Sequence, residues 1–216
     1  MKYFLLLLAI VGFSSCSSLK SQSQLSSGYY DFRQPSSNYI KVYVNLRNDS
    51  LHIIPIDKKN TISVLPEANQ FFLKRSLDVD VLVVPFKFRP SSSGFPRQLT
   101  ADFNGNIFVG YRVDRYKAHF VKTPAGIIEQ LRHRALTIGA FGGLGTSSIN
   151  PSTTNYRTTD EYGGFILSRG ISLMVGMNNL TVGIGTGWDY LTDRDKSIWI
   201  YQNKRWYGLT LSLNLN

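Results

Sequence analysis

The stretch WYGLTLSLNLN, residues 206–216, decides the fold because large and small side chains alternate along it without a break. Tyrosine and leucine fill every second position, and tryptophan, glycine, threonine, serine and asparagine fill the positions between them. A period of two predicts a β-strand with two unlike faces. Residues 180–190 read LTVGIGTGWDY and alternate in the same way, so we predict a second strand of this kind.

The small face of these two strands carries glycine, threonine, serine, asparagine and aspartate, with almost no lysine or glutamate. A soluble sandwich normally buries its bulky face and exposes a charged one, and a charged face is missing here. A bulky face opposite a small polar face is typical of strands that meet lipid on one side and fill a narrow lumen on the other. The pattern therefore predicts strands that cross a bilayer.

The N-terminus has the layout of a secretory signal peptide, in which Lys2 is followed by about ten apolar residues and then by small residues up to Cys16. The apolar run is too short to span a membrane as a helix. The sequence FSSC at 13–16 resembles a bacterial lipobox, although Phe13 stands where the lipobox prefers an aliphatic residue. We expect a signal peptide over 1–15 and lipidation of Cys16. The alternative is an ordinary signal that is cut nearby and leaves an incidental cysteine.

The composition favours anionic partners, because 24 Lys+Arg against 14 Asp+Glu give the chain a net charge of +10. For an envelope protein the obvious anions are the phosphates of outer-membrane lipid and lipopolysaccharide. The basic residues are scattered and form no Lys/Arg-rich run, so we expect no nucleic-acid binding. Cys16 is the only cysteine, which excludes an internal disulfide.

The chain after the signal divides into a tether and a domain over 39–216. Residues 16–38 are rich in serine and glutamine and predict a flexible tether from the lipidated cysteine. Residues 39–46 and 51–56 predict a hairpin, which either supplies two barrel strands or forms a small periplasmic unit within 39–76. Six longer strands follow, over 77–89, 99–113, 135–145, 164–177, 180–190 and 204–216.

Two prolines modify this succession of strands. Pro85 has no N–H to donate to a neighbouring strand, so it predicts a bulge, an edge or a rim within the strand 77–89. Pro124 precedes residues 125–132, AGIIEQLR, and proline is favoured at the first position of a helix. We therefore predict one short helix in this segment.

The connections between the later strands alternate in length. Only Asn178 and Asn179 separate two of the strands, whereas long polar segments precede and follow that pair of strands. Barrels of the outer membrane have short periplasmic turns and long external loops. Under that rule the asparagine turn and both termini are periplasmic.

Together these patterns resemble small bacterial outer-membrane β-barrels, over residues 77–216 or over 39–216. The resemblance rests on pattern, and Asn216 departs from the aromatic residue with which the last strand of that class commonly ends. It implies an all-β fold, an antiparallel up-and-down transmembrane β-barrel of eight strands, six of them read directly. It also implies an outer-membrane location in the Gram-negative envelope and a structural or protein-interaction role, alone or within a larger membrane assembly, without a cofactor.

Two other functions are compatible with the sequence. A lipid-anchored periplasmic β-sandwich binding module would also show alternating strands, because each sheet packs one face against the other. A lipid-modifying barrel enzyme is the third hypothesis. The histidines His52, His119 and His133 are far apart, no metal-ligand spacing is present, and no serine is marked as activated. We therefore expect no enzymatic activity and no metal site.

Charged residues on the inferred lumen side form the first candidate site: Asp78, Asp80, Asp102 and Arg112. A charge inside a narrow barrel has to be paired, because an isolated buried charge is strongly destabilising. The hairpin pairing places the first two carboxylates near the arginine. We interpret the group as a structural network; a catalytic carboxylate site is the alternative.

Aromatic residues near the inferred strand ends form the second candidate site: Tyr111, Trp188, Tyr190, Trp206 and Tyr207. Such residues are typical of the aromatic girdles that lie at membrane–water interfaces. Trp199 and Tyr201 lie in an inferred external loop beside several charged residues. A girdle or a sugar-binding platform would account for those two.

Overall fold

The computed structural model describes residues 25–35, 37–47, 50–57, 69–92, 94–124, 126–177 and 180–214. The strands are β1 (Gly28–Arg33), β2 (Ile40–Arg47), β3 (Ser50–Pro55), β4 (Gln70–Arg89), β5 (Gln98–Thr100), β6 (Asn104–Thr123), β7 (Gly126–Ile149), β8 (Tyr162–Met177), β9 (Leu180–Leu191) and β10 (Arg205–Asn214). Two short 3-10 helices cover Ser152–Thr154 and Arg194–Ser197. Within these ranges, no helix is both long and apolar enough to cross a membrane.

Six antiparallel strands form a closed ring, in the order β4, β6, β7, β8, β9 and β10, with β10 pairing back onto β4. At one end of the ring, the turn end, β6 continues into β7 and β8 into β9 through the shortest connections. At the other end, the loop end, the longer segments 90–103, 150–161 and 192–204 join the strands. The predicted all-β antiparallel fold is confirmed, whereas the ring formed by the described residues has six strands and not the expected eight.

A sheet extension continues from the turn end of the ring, because β4 pairs with two different strands along one edge. Its Asp80–Phe88 part pairs with β10 and closes the ring, while Phe71–Leu73 pair with β1. β1 pairs with β2, and β2 with β3. We call β1, β2 and β3, together with residues 70–75 of β4, 114–123 of β6 and 126–134 of β7, the extension.

This topology bears on three of the sequence predictions. The predicted tether is wrong over Gly28–Arg33, which form β1 between β2 and β4. The predicted hairpin is present as β2 and β3, outside the ring. The predicted helix over 125–132 is wrong over 126–132, because β7 begins at Gly126 and its residues 126–145 pair with β6; residue 125 lies outside the described residues. The signal sequence and Cys16 lie outside the described residues.

A bulge at Pro85 changes which residues of β4 face inward. Leu209 pairs with Phe86 but Leu211 pairs with Val83, so β4 contains one extra residue between these two pairs. Even-numbered residues are buried before the bulge, and odd-numbered residues are buried after it. The phenylalanines at 86 and 88 therefore face outward, and the Lys87 and Arg89 side chains, each 1% exposed, face the interior.

Large apolar side chains cover the outside of the ring, and we call this surface the exterior band. All of its members are exposed, and they come from each of the six ring strands: Leu77, Val79, Val81, Val83, Phe86, Phe88, Ile107, Val109, Tyr111, Leu136, Ile138, Leu144, Phe165, Leu167, Ile171, Leu173, Val175, Ile184, Tyr190, Tyr207, Leu209 and Leu213. The side chains between them on the same strands point inward and are mostly polar, charged or glycine.

Glycines make room inside the ring for a few bulky side chains. A Cβ atom at Gly139 would overlap the carbonyl oxygen of Val109 and lie 2.6 Å from Cζ of Phe108. A Cβ atom at Gly187 would lie 2.6 Å from Cζ2 of Trp206. The interior is therefore filled by side chains that pack directly against backbone, which a narrow six-stranded ring requires.

Candidate functional site

The interior of the ring contains a charge cluster at the loop end, centred on Asp189. Lys87 Nζ lies 2.9 Å from Asp189 Oδ1, and Arg89 Nη2 lies 2.5 Å from Oδ2. Ser168 Oγ and Trp206 Nε1 also donate hydrogen bonds to Oδ1, the latter at 3.0 Å. Because the carboxylate accepts from two cations and two neutral donors, this buried charge is fully compensated.

Aromatic rings surround the cations of this cluster. Lys87 Nζ lies 4.6 Å from the ring centroid of Trp206, and Arg89 Cζ lies 5.4 Å and 4.9 Å from the rings of Trp199 and Tyr201. Arg89 Nε and Nη1 have no hydrogen-bond partner among the described residues. The contacts with the aromatic faces offset part of the cost of burying these two nitrogens without hydrogen bonds, since a desolvated cation is attracted by an aromatic face.

A second charge cluster lies at the turn end and contains three of the four predicted lumen residues. Arg112 Nη1 lies 3.5 Å from Asp78 Oδ2, and Arg112 Nε donates to Asp114 Oδ1 at 3.0 Å. Ser212 donates to Asp80, and His133 Nε2 lies 2.7 Å from the same oxygen of Asp114. The carboxylates of this cluster outnumber its guanidinium group, in contrast to the loop end.

Asp102, the fourth predicted lumen residue, is at the other end of the ring. β6 begins only at Asn104, so Asp102 lies before the strand and on the loop side. Its Oδ2 accepts a hydrogen bond from Ser147 at 3.4 Å. Grouping it with the turn-end charges is therefore wrong, because the predicted strand 99–113 was taken to be continuous where the chain forms β5, a break and then β6.

An apolar layer separates the two charge clusters. It is made of buried side chains from five ring strands: Leu82, Val84, Phe108, Phe141, Met174 and Trp206. A second apolar group closes the interior at the loop end: Ile149, Ile166, Leu191, Trp199, Ile200 and Tyr201. The polar parts of the interior are thus divided by packed hydrophobic side chains. Within the described ranges, no group of three or more His, Cys, Asp or Glu residues is arranged to hold a metal ion.

Some of the predicted aromatic residues lie on the outside of the ring of strands, and one lies in its interior. Tyr111, Tyr190 and Tyr207 are exposed and belong to the exterior band. Trp188 is half-buried, and the guanidinium of Arg205 lies 5.4 Å from its ring. The prediction that Trp206 belongs to an exterior girdle is wrong, since its side chain is buried on the inward face and bonds Asp189.

Trp199 and Tyr201 do not form an exposed platform, because both side chains are buried in the loop-end apolar group. Their rings meet edge to face, with centroids 6.0 Å apart. The Tyr201 hydroxyl donates to Gln98 at 2.9 Å, and burial raises its pKa. These residues therefore close the interior of the ring instead of presenting ring faces to a sugar.

The sequence predictions missed the three charges of the loop-end cluster. One signal was available in the sequence, because Asp189 lies on the small face of the strand 180–190. The other signal was Pro85, since a bulge there exchanges the inward and outward residues of β4 after that point. Both signals together would have placed Lys87 and Arg89 beside Asp189.

The polarity of the outward and inward side chains reverses where the shared strands pass from the ring into the extension. On β6 the outward residues Val109 and Tyr111 are followed by Arg115 and Lys117, which are also outward. The inward residues change in the opposite sense, from polar in the ring to apolar in the extension. The buried core of the extension consists of Leu25, Tyr30, Phe32, Val42, Val44, Phe72, Tyr116 and Ala118.

The extension is thus built like an ordinary water-soluble sheet. Tyr30 lies in its core, and its hydroxyl donates to the carbonyl of Ser26 at 2.9 Å. Burial raises the pKa of Tyr30 above its ordinary value. Its ring meets those of Phe72 and Tyr116 edge to face, with centroids 6.1 Å apart in both cases.

Comparison with protein-family models finds no match, and comparisons with curated proteins and with solved structures also find none. The functional conclusion therefore depends on the distribution of side chains described above.

Proposed function

We propose that this chain is a small outer-membrane β-barrel of the Gram-negative envelope, with a structural or protein-interaction role and no catalytic activity. One observation carries the proposal: the ring exposes a continuous apolar surface and buries its charges. Monomeric soluble proteins rarely expose apolar patches of more than a few hundred Å². An apolar outside around a polar inside is the arrangement that a bilayer stabilises.

The ring has fewer strands than the eight of the smallest common membrane barrels. The interior glycines support closure of a ring of six strands, because a bulky side chain from a neighbouring strand can pack directly against the backbone at a glycine. The filled interior argues against a wide diffusion pore. A structural or interaction role agrees with this interior better than transport does.

The proposed orientation follows from the lengths of the connections. Short periplasmic turns and long external loops place the turn end in the periplasm and the loop end outside the cell. The extension then lies in the periplasm, on the same side as a lipidated Cys16. Its outer surface, which includes the edge-to-face pair Tyr29 and Tyr43 with centroids 5.1 Å apart, is the region available to envelope protein partners.

The proposal is tested by expressing the full chain in a Gram-negative host and examining its envelope. We expect resistance to carbonate extraction and a gel mobility that changes on heating, as a barrel that stays folded in detergent would show. A chain that carbonate releases, or that is monomeric and folded in plain buffer after removal of the acyl group, would contradict the barrel. The latter result would favour the lipid-anchored binding module.

A further inference from the structure

Three cations surround one aromatic ring on the outer face of the extension. Arg33 Cζ, Arg115 Cζ and Lys117 Nζ lie 5.3, 5.5 and 5.7 Å from the ring centroid of Phe71. The residues come from β1, β4 and β6, and Phe71 pairs directly with Arg33 on one side and Lys117 on the other. We call these four residues the Phe71 cluster.

Two further cations extend the Phe71 cluster onto β7. Arg134 pairs directly with Arg115, and Arg132 pairs directly with Lys117. Like charges that face each other across neighbouring strands destabilise a sheet. Among the described residues, no ion pair is found for the two cation pairs, Arg115 with Arg134 and Lys117 with Arg132. A surface that concentrates positive charge in this way is suited to an anionic ligand.

The position of these cations relative to the exterior band identifies the kind of anion. On β6, Arg115 is followed on the same face by Val113 and Tyr111, toward the ring. On β7, Arg134 is followed in the same way by Leu136, which is exposed. Two residues of a strand span about 7 Å, so the cations lie directly beside the apolar surface. This is the depth at which the phosphates of a lipid leaflet lie when its acyl chains cover the band.

We propose that the Phe71 cluster, with Arg132 and Arg134, binds the headgroups of anionic phospholipids in the leaflet next to the turn end. This inference rests on the proposed membrane function and adds a site and a ligand class to it. A guanidinium can donate two parallel hydrogen bonds to a phosphate, and the lysine adds a point charge. Because three cations are held against the aromatic ring of Phe71, they are positioned before the lipid binds, and less entropy is lost on binding.

The test uses the full chain reconstituted in phosphatidylcholine vesicles that contain a minority of phosphatidylglycerol. Spin-labelled lipids measure the association constant of phosphatidylglycerol relative to phosphatidylcholine. We expect the native chain to prefer phosphatidylglycerol by about fivefold or more, since one cation near an anionic lipid surface contributes about that factor. In the variant Arg115→Gln, Lys117→Gln, Arg132→Gln, Arg134→Gln, only Arg33 of the five cations remains, and the ratio should fall clearly below that of the native chain.

A matched control removes four exposed charges at the loop end: Arg157, Arg194, Lys196 and Lys204, each changed to Gln. The control should keep the preference of the native chain. An equal loss in the control would overturn the inference, because net charge alone would then explain the preference. An unchanged preference in the turn-end variant would overturn it as well.

Misfolding of the variant and failure of the membrane function give results that differ from loss of the headgroup site. If the turn-end variant does not fold, the pairs Arg115→Gln with Arg134→Gln and Lys117→Gln with Arg132→Gln are tested separately, and each should lower the ratio part of the way. Failure of the native chain to insert into vesicles of phosphatidylcholine alone would refute the membrane function itself. Insertion without any preference for phosphatidylglycerol would refute only the headgroup site.

Discussion

The ring and the extension share three strands, yet they sort their side chains in opposite ways. Along β4, β6 and β7 the hydrogen-bonded ladder is continuous from one region into the other. In the ring the apolar residues point out and the charges point in. In the extension the aromatic core points in, and arginine and lysine point out. One continuous ladder therefore carries two opposite arrangements of apolar and charged side chains, which the proposed function assigns to a bilayer and to water.

The change from one arrangement to the other can be located on each of the three shared strands. Toward the ring, the outward residues change from charged to apolar between Arg115 and Val113 on β6 and, at the same level, between Arg134 and Leu136 on β7. On β4 the change lies between Arg75 and Leu77, one residue pair nearer the ring. A soluble protein has no reason to change polarity at nearly the same level on neighbouring strands. A chain that leaves water and enters a bilayer does have one, because unpaired charges are costly in lipid and exposed apolar groups are costly in water.

Removal of the central charge of the ring should give the largest effect. Asp189→Asn leaves Lys87 and Arg89 buried without a carboxylate, and we expect a loss of about 3–5 kcal/mol in the free energy of unfolding. The measurement is urea unfolding in detergent micelles, followed by the heat-dependent gel mobility. The exposed Asp160, which pairs with Arg194, gives the control Asp160→Asn, with stability nearly unchanged. An Asp189 variant as stable as that control would contradict a charge-dependent interior.

Two isoleucines test the contrast between the outer surfaces directly. Ile138 is 59% exposed on the ring, and Ile54 is 50% exposed on the extension. Under the proposed function, Ile138→Arg places a charge among acyl chains and should reduce the stability of the chain in vesicles by about 2–4 kcal/mol. Ile54→Arg should change it by less than about 0.5 kcal/mol, as on other water-exposed surfaces. Equal effects at the two sites would remove the distinction between the surfaces.

Two glycines of β7 test how tightly the ring is packed. Gly139→Ala places a methyl group against backbone and the ring of Phe108, and we expect a loss of about 1–3 kcal/mol. At Gly142 the nearest atom to the added methyl would be the Ser168 carbonyl oxygen, 3.9 Å away. Gly142→Ala should therefore stay within about 0.5 kcal/mol of the native stability. A tolerated Gly139→Ala, measured by the same unfolding assay, would indicate a wider ring than described.

The smallest effect is expected in the core of the extension. Tyr30→Phe removes the hydroxyl that donates to Ser26, at a cost of about 1 kcal/mol, and the exposed Tyr29→Phe serves as the control. Hydrogen exchange of the β1 amides measures the loss locally. Since burial raises the pKa of Tyr30, the native extension should be most stable below the ordinary tyrosine pKa and should lose stability as pH rises through the raised value. Tyr116 is buried beside Tyr30 and burial raises its pKa as well, so Tyr30→Phe should weaken this pH dependence and leave the part due to Tyr116.

The sequence predicted the later strands well because their polarity does not change. β9 and β10 lie wholly in the ring, and their alternation has one sense from end to end. The end of β8 at Met177 and the start of β9 at Leu180, which pair with each other, were also predicted; Asn178 and Asn179 between them lie outside the described residues. The three strands shared with the extension were predicted too short on the side of the extension, at 77–89, 99–113 and 135–145. Each prediction ended near the level at which outward residues change from apolar to charged, since a single pattern of alternation was assumed.

The remaining errors come from pairings that no local pattern contains. Tyr30 and Phe32 are buried because β1 lies between β2 and β4, although the surrounding segment is rich in serine and glutamine. The helix predicted from Pro124 onward is replaced by pairing with β6 over 126–145. Trp206 was assigned to the aromatic girdle because tryptophan favours the membrane–water interface. Its inward position followed from the alternation itself, which placed it opposite Tyr207.

The contact between β10 and β4 also determines how the chain must reach its native state. Ser212 and Asp80 are hydrogen-bonded although 132 residues separate them in sequence. Contacts between such distant residues form slowly, because the entropy of a large loop is lost before any interaction compensates for it. Until that final pairing is made, both partner strands present open edges that invite aggregation. Folding of this protein is thus expected to depend on protection of its unfinished sheet.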